Sequence, residues 1–267
     1  MRRLVDAPRW ALNLFAAAAL VYLFMPLGWI VWFSFNEPVG DVNLVWQEFT
    51  LDNWRGAFRA SAYRDAFVES IRVAALSTAI ATLLGSMIAI ALARYRFRGA
   101  AGLNLLLVLP LTAPEIVMGS SLATLFLDNA EIIKRGFVTV VIAHVMFQIS
   151  FVAMTVRARV RGFDWTLEQA AQDLGATPMR TFWRVTFPLV LPGIMAAALL
   201  SFALSIDDYI ITLFNRGSLQ TFPIYIDGAF RREFPPQVNV LASLILLASI
   251  SLMLIGVLRA TGKASRS

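Results

Sequence analysis

Residues 166–192 read TLEQAAQDLGATPMRTFWRVTFPLVLP, a polar stretch set between two long apolar runs. The spacing predicts a short helix. Thr166 followed three residues later by Gln169 is a capping-box pattern, Gly175 is a natural C-terminal stop, and Pro178 bars continuation. A helix over residues 167–174 would be about 12 Å long at a rise of about 1.5 Å per residue, too short to persist unaided in water. Leu167, Ala170, Ala171 and Leu174 fall at i, i+3, i+4 and i+7, giving one apolar face with two alanines at its centre, where a partner can approach closely. Gln169, Gln172 and Asp173 point elsewhere. By pattern alone the segment is either a loop helix packed on its own protein or a docking helix.

The runs on either side decide the class. Hydrophobic residues make up 58% of the chain and charged residues 15%, and the apolar ones are gathered in stretches near the roughly 20 residues that span a bilayer. Six such stretches lie at about 11–35, 67–93, 103–127, 136–156, 188–213 and 238–258. The expected fold is therefore all-α, a polytopic membrane protein with six transmembrane helices in a single domain over 1–267. The first run follows MRRLVDAPRW and outlasts the roughly 7–15-residue apolar core of a signal peptide, so it reads as an uncleaved span. The third is interrupted by Pro110 and Pro114. In the segment 36–65, Trp46, Phe49, Trp54 and Phe58 read as interfacial aromatics at the headgroups.

The net charge of +6 follows the membrane and needs no nucleic acid. Of 23 lysines and arginines, 14 lie in 1–10, 94–102, 157–187 and 259–267, and nine in 36–72, 128–135 and 214–237. The positive-inside rule places the first set in the cytoplasm, with both termini and the 166–192 stretch.

Composition also limits the chemistry. Cysteine is absent, and the one histidine, His144, lies in an apolar run as a packed or pore-facing residue, so no metal site and no catalytic nucleophile–base pair is visible. No G-x-x-x-x-G-K-[ST] loop is present, so any ATPase must be another chain, and no cofactor is expected in this one. Ionisable residues inside spans are costly and mark functional sites. Glu115 lies about 12 residues into the third run, about 18 Å along a helix and so near mid-membrane. Asp207 and Asp208 lie late in the fifth, and if that helix continues they are about 100° apart, so that one faces the pathway and the other is structural. Two simpler readings compete: Asp208 as an interfacial residue, and Glu115 as a cap for backbone groups freed by Pro110 and Pro114. No lysine or arginine lies deep in a span to neutralise these acids, and Tyr209 is an aromatic neighbour, which suits a cation. Separated carboxylates suit separated ammonium groups, as in polyamines.

The 166–192 stretch resembles the EAA loop of ABC-importer permeases through Gln169-Ala170-Ala171, Gly175, Phe182, Val185, Pro188 and Pro192-Gly193-Ile194. It departs from that pattern in having Gln169 at the acidic first position, with Glu168 adjacent. FTLDNWRGAF (49–58), LPLTAPEIVMGSSLATLF (109–126) and SFALSIDDYIITLF (201–214) are similar to segments of the spermidine/putrescine permease family. The resemblance implies a type I importer permease of the bacterial inner membrane, the second of two homologous permease subunits. It further implies a cytoplasmic ATPase dimer that binds ATP and Mg, and an extracytoplasmic polyamine-binding protein. It assigns Glu168, Gln169, Ala170, Ala171, Leu174 and Gly175 to ATPase coupling, and Glu115, Asp207, Asp208 and Tyr209 to the substrate pathway. The alternatives are the same architecture importing another cationic or zwitterionic solute, and a stand-alone channel or secondary carrier, which would need no docking surface.

Overall fold

Prolines, glycines and capping side chains set where the helices of this chain stop and bend. The structure, a computed structural model, describes residues 9–40, 42–56, 61–95, 97–231, 235–247 and 250–251. Two compact units are distinguished, one drawn from Met1–Arg64 and Ile226–Ser267, the other from Asp65–Tyr225.

In the first unit, α1 (Arg9–Phe33) is apolar on all sides, and none of its membrane-length window is buried within the chain. It runs into a small antiparallel hairpin of β1 (Asn36–Glu37) and β2 (Glu48–Phe49), followed by the single turn α2 (Asp52–Arg55). Buried asparagines replace a hydrophobic core here. Asn36 Nδ2 donates to Asn43 Oδ1 (2.6 Å) and to the Val45 carbonyl (2.9 Å), Asn43 Nδ2 to the Phe33 carbonyl (2.8 Å), and Asn53 Nδ2 to the Asn36 carbonyl (2.7 Å). Phe35 stacks on both Phe49 and Trp54, and Trp54 Nε1 donates to Ser34 Oγ (3.1 Å). Phe49 and Trp54, expected as headgroup anchors, thus also close the hairpin onto the end of α1; Phe58 lies outside the described residues.

The second unit contains most of α3 (Ser61–Arg94), then α4 (Ala100–Thr112), α5 (Glu115–Asp128), α6 (Phe137–Val160), α7 (Thr166–Asp173) and α8 (Pro178–Thr181). A π-helical turn (Phe182–Thr186) joins α8 to α9 (Phe187–Ile206), and α10 (Ile210–Asn215) and the start of α11 (Phe222–Phe230) complete it. α6 is its central helix. Val152, Val156 and Val160 of α6 share one buried cluster with Ala81 and Ala89 of α3 and with Val190 and Ala197 of α9. Ala143 and Phe147 share a second with Leu122 and Phe126 of α5 and Ile211 of α10. Glycines allow the closest approaches, as expected where lipid removes the hydrophobic drive between helices. A Cβ at Gly85 would lie 2.7 Å from Val152 Cβ, and one at Gly193 would lie 2.7 Å from both Cβ and Cγ of Arg159.

Among the described residues, four helical stretches are long and apolar enough to cross a membrane: α1, α3, α6 and the continuous Pro178–Ile206. The fifth helical run therefore begins well before its expected start at 188. Pro178 fits at a helix start, where its missing N–H is not needed, and Thr177 caps it by accepting from the Arg180 N–H (3.4 Å). The third run is not a single interrupted helix: α4 and α5 meet at 108°. Pro114 holds Ala113 in an extended conformation, φ −72°, ψ 137°. The sixth run opens as α12 (Pro236–Leu247), and its remainder apart from 250–251 lies outside the described residues, as do residues 1–8, Arg96 and the tail 259–267 of the charge count.

The fifth run also breaks. The expectation of a helix continuing through Asp207 and Asp208 is overturned, because α9 ends at Ile206 and a new helix starts at Ile210. No glycine or proline marks this break. Asp208 Oδ1 accepts from both the N–H (2.8 Å) and the hydroxyl (3.0 Å) of Thr212, and such a side-chain bond to the backbone competes with helix continuation.

Candidate functional site

α5 and α10 pack closely because residue 119 is glycine. A Cβ there would lie 3.1 Å from the Phe214 ring and 3.4 Å from Ile211 Cα, and Asn215 Nδ2 donates to the Gly119 carbonyl (3.2 Å). This packing gathers the acids of the two broken runs. Glu115 is the first residue of α5, at the bend after Pro114, and its carboxylate is within electrostatic reach of Asp207 and Asp208. Its position at a helix N-terminus is favourable for a negative charge. Glu115 makes no side-chain hydrogen bond among the described residues, so it does not cap groups freed by Pro110 and Pro114. Asp207 closes α9 through its own N–H and leaves its side chain exposed; Tyr209, half-buried, caps α10.

Asp208 is used differently. Its side chain is 6% exposed, and Oδ1 lies 3.3 Å from His144 Nε2. His144 Nε2 also lies 2.8 Å from Thr212 Oγ1, and Nδ1 lies 2.7 Å from Ser205 Oγ. Ser205 meets Ser77 Oγ at 3.2 Å, and Ser77 accepts from Gln148 Nε2 at 3.2 Å. A direction consistent with these contacts has Gln148 donating to Ser77, Ser77 to Ser205 in preference to the longer Ala74 carbonyl contact (3.4 Å), Ser205 to Nδ1, and a hydrogen on Nε2 facing the carboxylate. The network fastens α3, α6, α9 and α10 together across the break. Sequence reasoning read His144 as packed or pore-facing, and it is packed, at 2% exposure; Gln148, Ser77, Ser205 and Thr212 were left aside. The available signal was His144 with Gln148 four residues on, two polar side chains on one side of the apolar middle of the helix.

The expected short helix at residues 167–174 is α7, ending with Leu174 as its C-cap. Gly175 stops it at φ +85°, with the Ala176 N–H bonded to the Ala171 carbonyl (3.0 Å) in a Schellman arrangement. The capping box of Thr166 and Gln169 does not form. Asp164 Oδ1 instead accepts from the Thr166 N–H (3.0 Å) and hydroxyl (2.7 Å), which also holds the Asp164 carboxyl below its ordinary range. Glu168 turns inward: it is 5% exposed, pairs with Arg94 Nη2 of α3 at 2.9 Å, and accepts the Thr186 hydroxyl. Gln169, Ala170, Leu167 and Leu174 face outward, with Ala171 half-buried between them. Leu174 is 89% exposed. The apolar face is open, and Glu168 fastens the helix beneath it.

The family model described as "Binding-protein-dependent transport system inner membrane component" matches residues 57–262. The spermidine/putrescine transport system permease protein PotC of Haemophilus influenzae is 33% identical over 244 residues, 91% of this chain and 93% of that protein. The putrescine transport system permease protein PotI of Escherichia coli K12 is 35% identical over 231 residues, 84% and 82% of the two chains. The molybdenum transport system permease protein ModB of Mycobacterium bovis is 32% identical over 268 residues, 94% of each. In fold, the chain is similar to a bacterial ABC transporter involved in the import of the acidic polysaccharide alginate, with TM-score 0.66, 94% of both chains covered and 14% identity. It is also similar to an amino acid ABC transporter, with TM-score 0.59, 79% of this chain and 100% of that one covered, and 16% identity. A stand-alone channel or secondary carrier is thereby set aside. The chain belongs to the family of binding-protein-dependent transport system inner membrane components, as a multi-pass permease subunit of an ABC importer and not an enzyme.

Proposed function

We propose that this permease subunit passes polyamines of the spermidine/putrescine class, and that Glu115 and Asp207 are the carboxylates its substrate meets. The observation that carries this reading is the gathering of three acids at two helix breaks, with one of them, Asp208, already engaged by His144 and Thr212. Two exposed carboxylates remain for a ligand with separated ammonium groups, beside Tyr209, whose ring face favours a cation. Non-helical backbone at membrane depth is tolerated where it lines a cavity or is buried in protein, and both acids stand at such breaks. The names of PotC and PotI agree with this reading, but a molybdenum permease matches nearly as well. Family membership therefore does not choose the solute, and the carboxylates are what support a polyamine.

The same reading assigns α7 to a cytoplasmic ATPase dimer, which would supply the ATP and Mg sites. A second, homologous permease completes the pathway and an extracytoplasmic binding protein delivers the polyamine. ATP-driven closure of the ATPases would move α7, and Glu168, bonded to Arg94 and Thr186, would pass that movement to α3 and to the stretch that becomes α9.

The test is ATP-dependent uptake of labelled putrescine and spermidine into vesicles holding the complete transporter, with an unlabelled zwitterionic amino acid as competitor. Saturable polyamine uptake that the amino acid does not displace supports the proposal. Uptake of the amino acid without polyamine uptake replaces it with the wider cationic or zwitterionic class.

A further inference from the structure

Past Gly175 the chain carries two arginines that no side chain among the described residues neutralises. Arg180 of α8 and Arg184 of the π-helical turn line one notch of about 260 Å3, together with Ala171, Leu174 and Gly175 at the end of α7 and with Thr181. Among the described residues neither guanidinium makes an ion pair or a hydrogen bond, and no carboxylate lines the notch. Thr181 is 2% exposed, yet its hydroxyl has no hydrogen-bond partner among the described residues. Two planar cations without a partner among the described residues match a carboxylate, which accepts from both, and the buried, unsatisfied Thr181 hydroxyl borders the same notch.

We propose that this notch receives an acidic side chain of the ATPase subunit docked on α7, so that Arg180 and Arg184 supply the charge of the coupling surface. The proposal rests on α7 being the docking helix. The notch is continuous with the open face of that helix, since Leu174 belongs to both. A partner covering Leu167, Ala170 and Leu174 would therefore place its own side chains over the arginines. Gln169, on the outer side of α7, brings no charge to the contact, and Glu168 is already committed to Arg94. Asp173, exposed on α7, does not line the notch, so the notch itself is positive and the partner group that enters it is acidic. Arginine is suited to the role because its planar fork binds a carboxylate through two parallel bonds.

The experiment measures how much ATPase subunit is retained when the complete transporter is purified through a tag on this chain, in neutral phosphatidylcholine and in phosphatidylglycerol-containing discs. Retention is followed from about 0.05 to about 0.5 M salt, across which the Debye length shortens several-fold. For the intact chain, retention should weaken as salt rises. Arg180→Glu with Arg184→Glu should lower retention about tenfold or more in both lipids, because two attractions become repulsions. The paired glutamine variant should fall between, and the paired lysine variant should recover most of the loss. Ala170→Trp serves as the control for docking itself. If Ala170→Trp releases the ATPase while the arginine variants hold it at every salt concentration, α7 docks but the notch plays no part. Retention in all variants overturns both readings. A loss confined to phosphatidylglycerol discs assigns the arginines to a lipid headgroup and overturns the proposal.

Discussion

His144 Nε2 and Asp208 Oδ1 lie 3.3 Å apart in the interior, 64 residues distant in the chain, and close a network that runs back through Ser205 and Ser77 to Gln148. Both side chains are nearly inaccessible, at 2% and 6% exposure. Removing His144 takes one of three donors from the buried Asp208 carboxylate, which keeps the Thr212 N–H and hydroxyl, and leaves Ser205 without its partner on the ring; losing a buried hydrogen-bond partner costs about 1–3 kcal/mol. His144→Ala should therefore lower the thermal midpoint of the purified complex sharply. His144→Gln, which keeps a donor toward the carboxylate, should restore part of it. Asp208→Asn retains the acceptor for Thr212 and should cost less, about 1 kcal/mol for one weakened hydrogen bond. Equal effects of all three variants would mean that the network does not hold the break.

Glu115 and Asp207 should behave in the opposite way. Neither is buried and neither is held by a side-chain partner as Asp208 is, so neutralising them removes attraction for substrate and little else. Glu115→Gln and Asp207→Asn should each raise the KM for polyamine uptake about 5–30-fold, equivalent to about 1–2 kcal/mol of binding. Assembly and thermal midpoint should stay unchanged. A loss of assembled complex in either variant would move that residue from the pathway to the scaffold.

Glu168 is the fastening of α7, and its loss should separate docking from transport. Glu168→Ala deletes the ion pair to Arg94 and the bond from Thr186 while leaving Leu167, Ala170 and Leu174 outward. The ATPase should still co-purify, and it should hydrolyse ATP without driving uptake. If Arg94→Ala and Glu168→Ala combined are no worse than either alone, the two act through one interaction. Additive losses would show that they do not.

The pH dependence of α7 follows from Asp164. The Thr166 hydroxyl and N–H lower its folded pKa beneath the ordinary 3.8. A lowered pKa gives stability that is complete above the ordinary value and disappears as pH falls through the folded one. The cap is therefore constant across the neutral range. Asp164→Ala should loosen α7 at all pH values used for transport, and Asp164→Asn, which keeps an acceptor, should not. Amide exchange of residues 166–169 distinguishes them.

Several of these features were readable in the sequence, and the others were hidden for identifiable reasons. Long apolar runs made α1, α3 and α6 visible, and Gly175 marked the end of α7. Pro114 signalled an interruption, but a proline does not fix an angle, and the 108° turn depends on how α5 packs against α10 through Gly119. The break at Asp207 has no proline or glycine, since it is made by Asp208 bonding forward to Thr212. At the start of α7 the expected cap was Thr166 with Gln169, but the Asp164 carboxylate took the Thr166 N–H instead. Glu168 lies off the apolar face of α7, and its partner Arg94 is 74 residues earlier, a distance that periodicity cannot bridge. Of the candidate site, the acids were legible, while the histidine network that separates Asp208 from the other two was not.

The contact between α6 and α9 offers the sharpest steric prediction. A Cβ at Gly193 would stand 2.7 Å from Cβ and Cγ of Arg159, both near the backbone and unable to swing away. Gly193→Ala therefore requires the two helices to separate, and overpacking of this kind costs about 1–3 kcal/mol. Gly28 is the matched control, because a Cβ there meets nothing within 4 Å. In its exposed helical setting, Gly28→Ala should be neutral or gain about 0.5–1 kcal/mol from reduced backbone freedom. The thermal midpoint of the purified complex should thus fall for Gly193→Ala and hold or rise for Gly28→Ala. Because Gly193 lies beyond the π-helical turn, on the path from α7 into α9, Gly193→Ala should also reduce uptake per ATP hydrolysed. An unchanged midpoint in Gly193→Ala would show that α6 and α9 do not approach this closely in the assembled transporter.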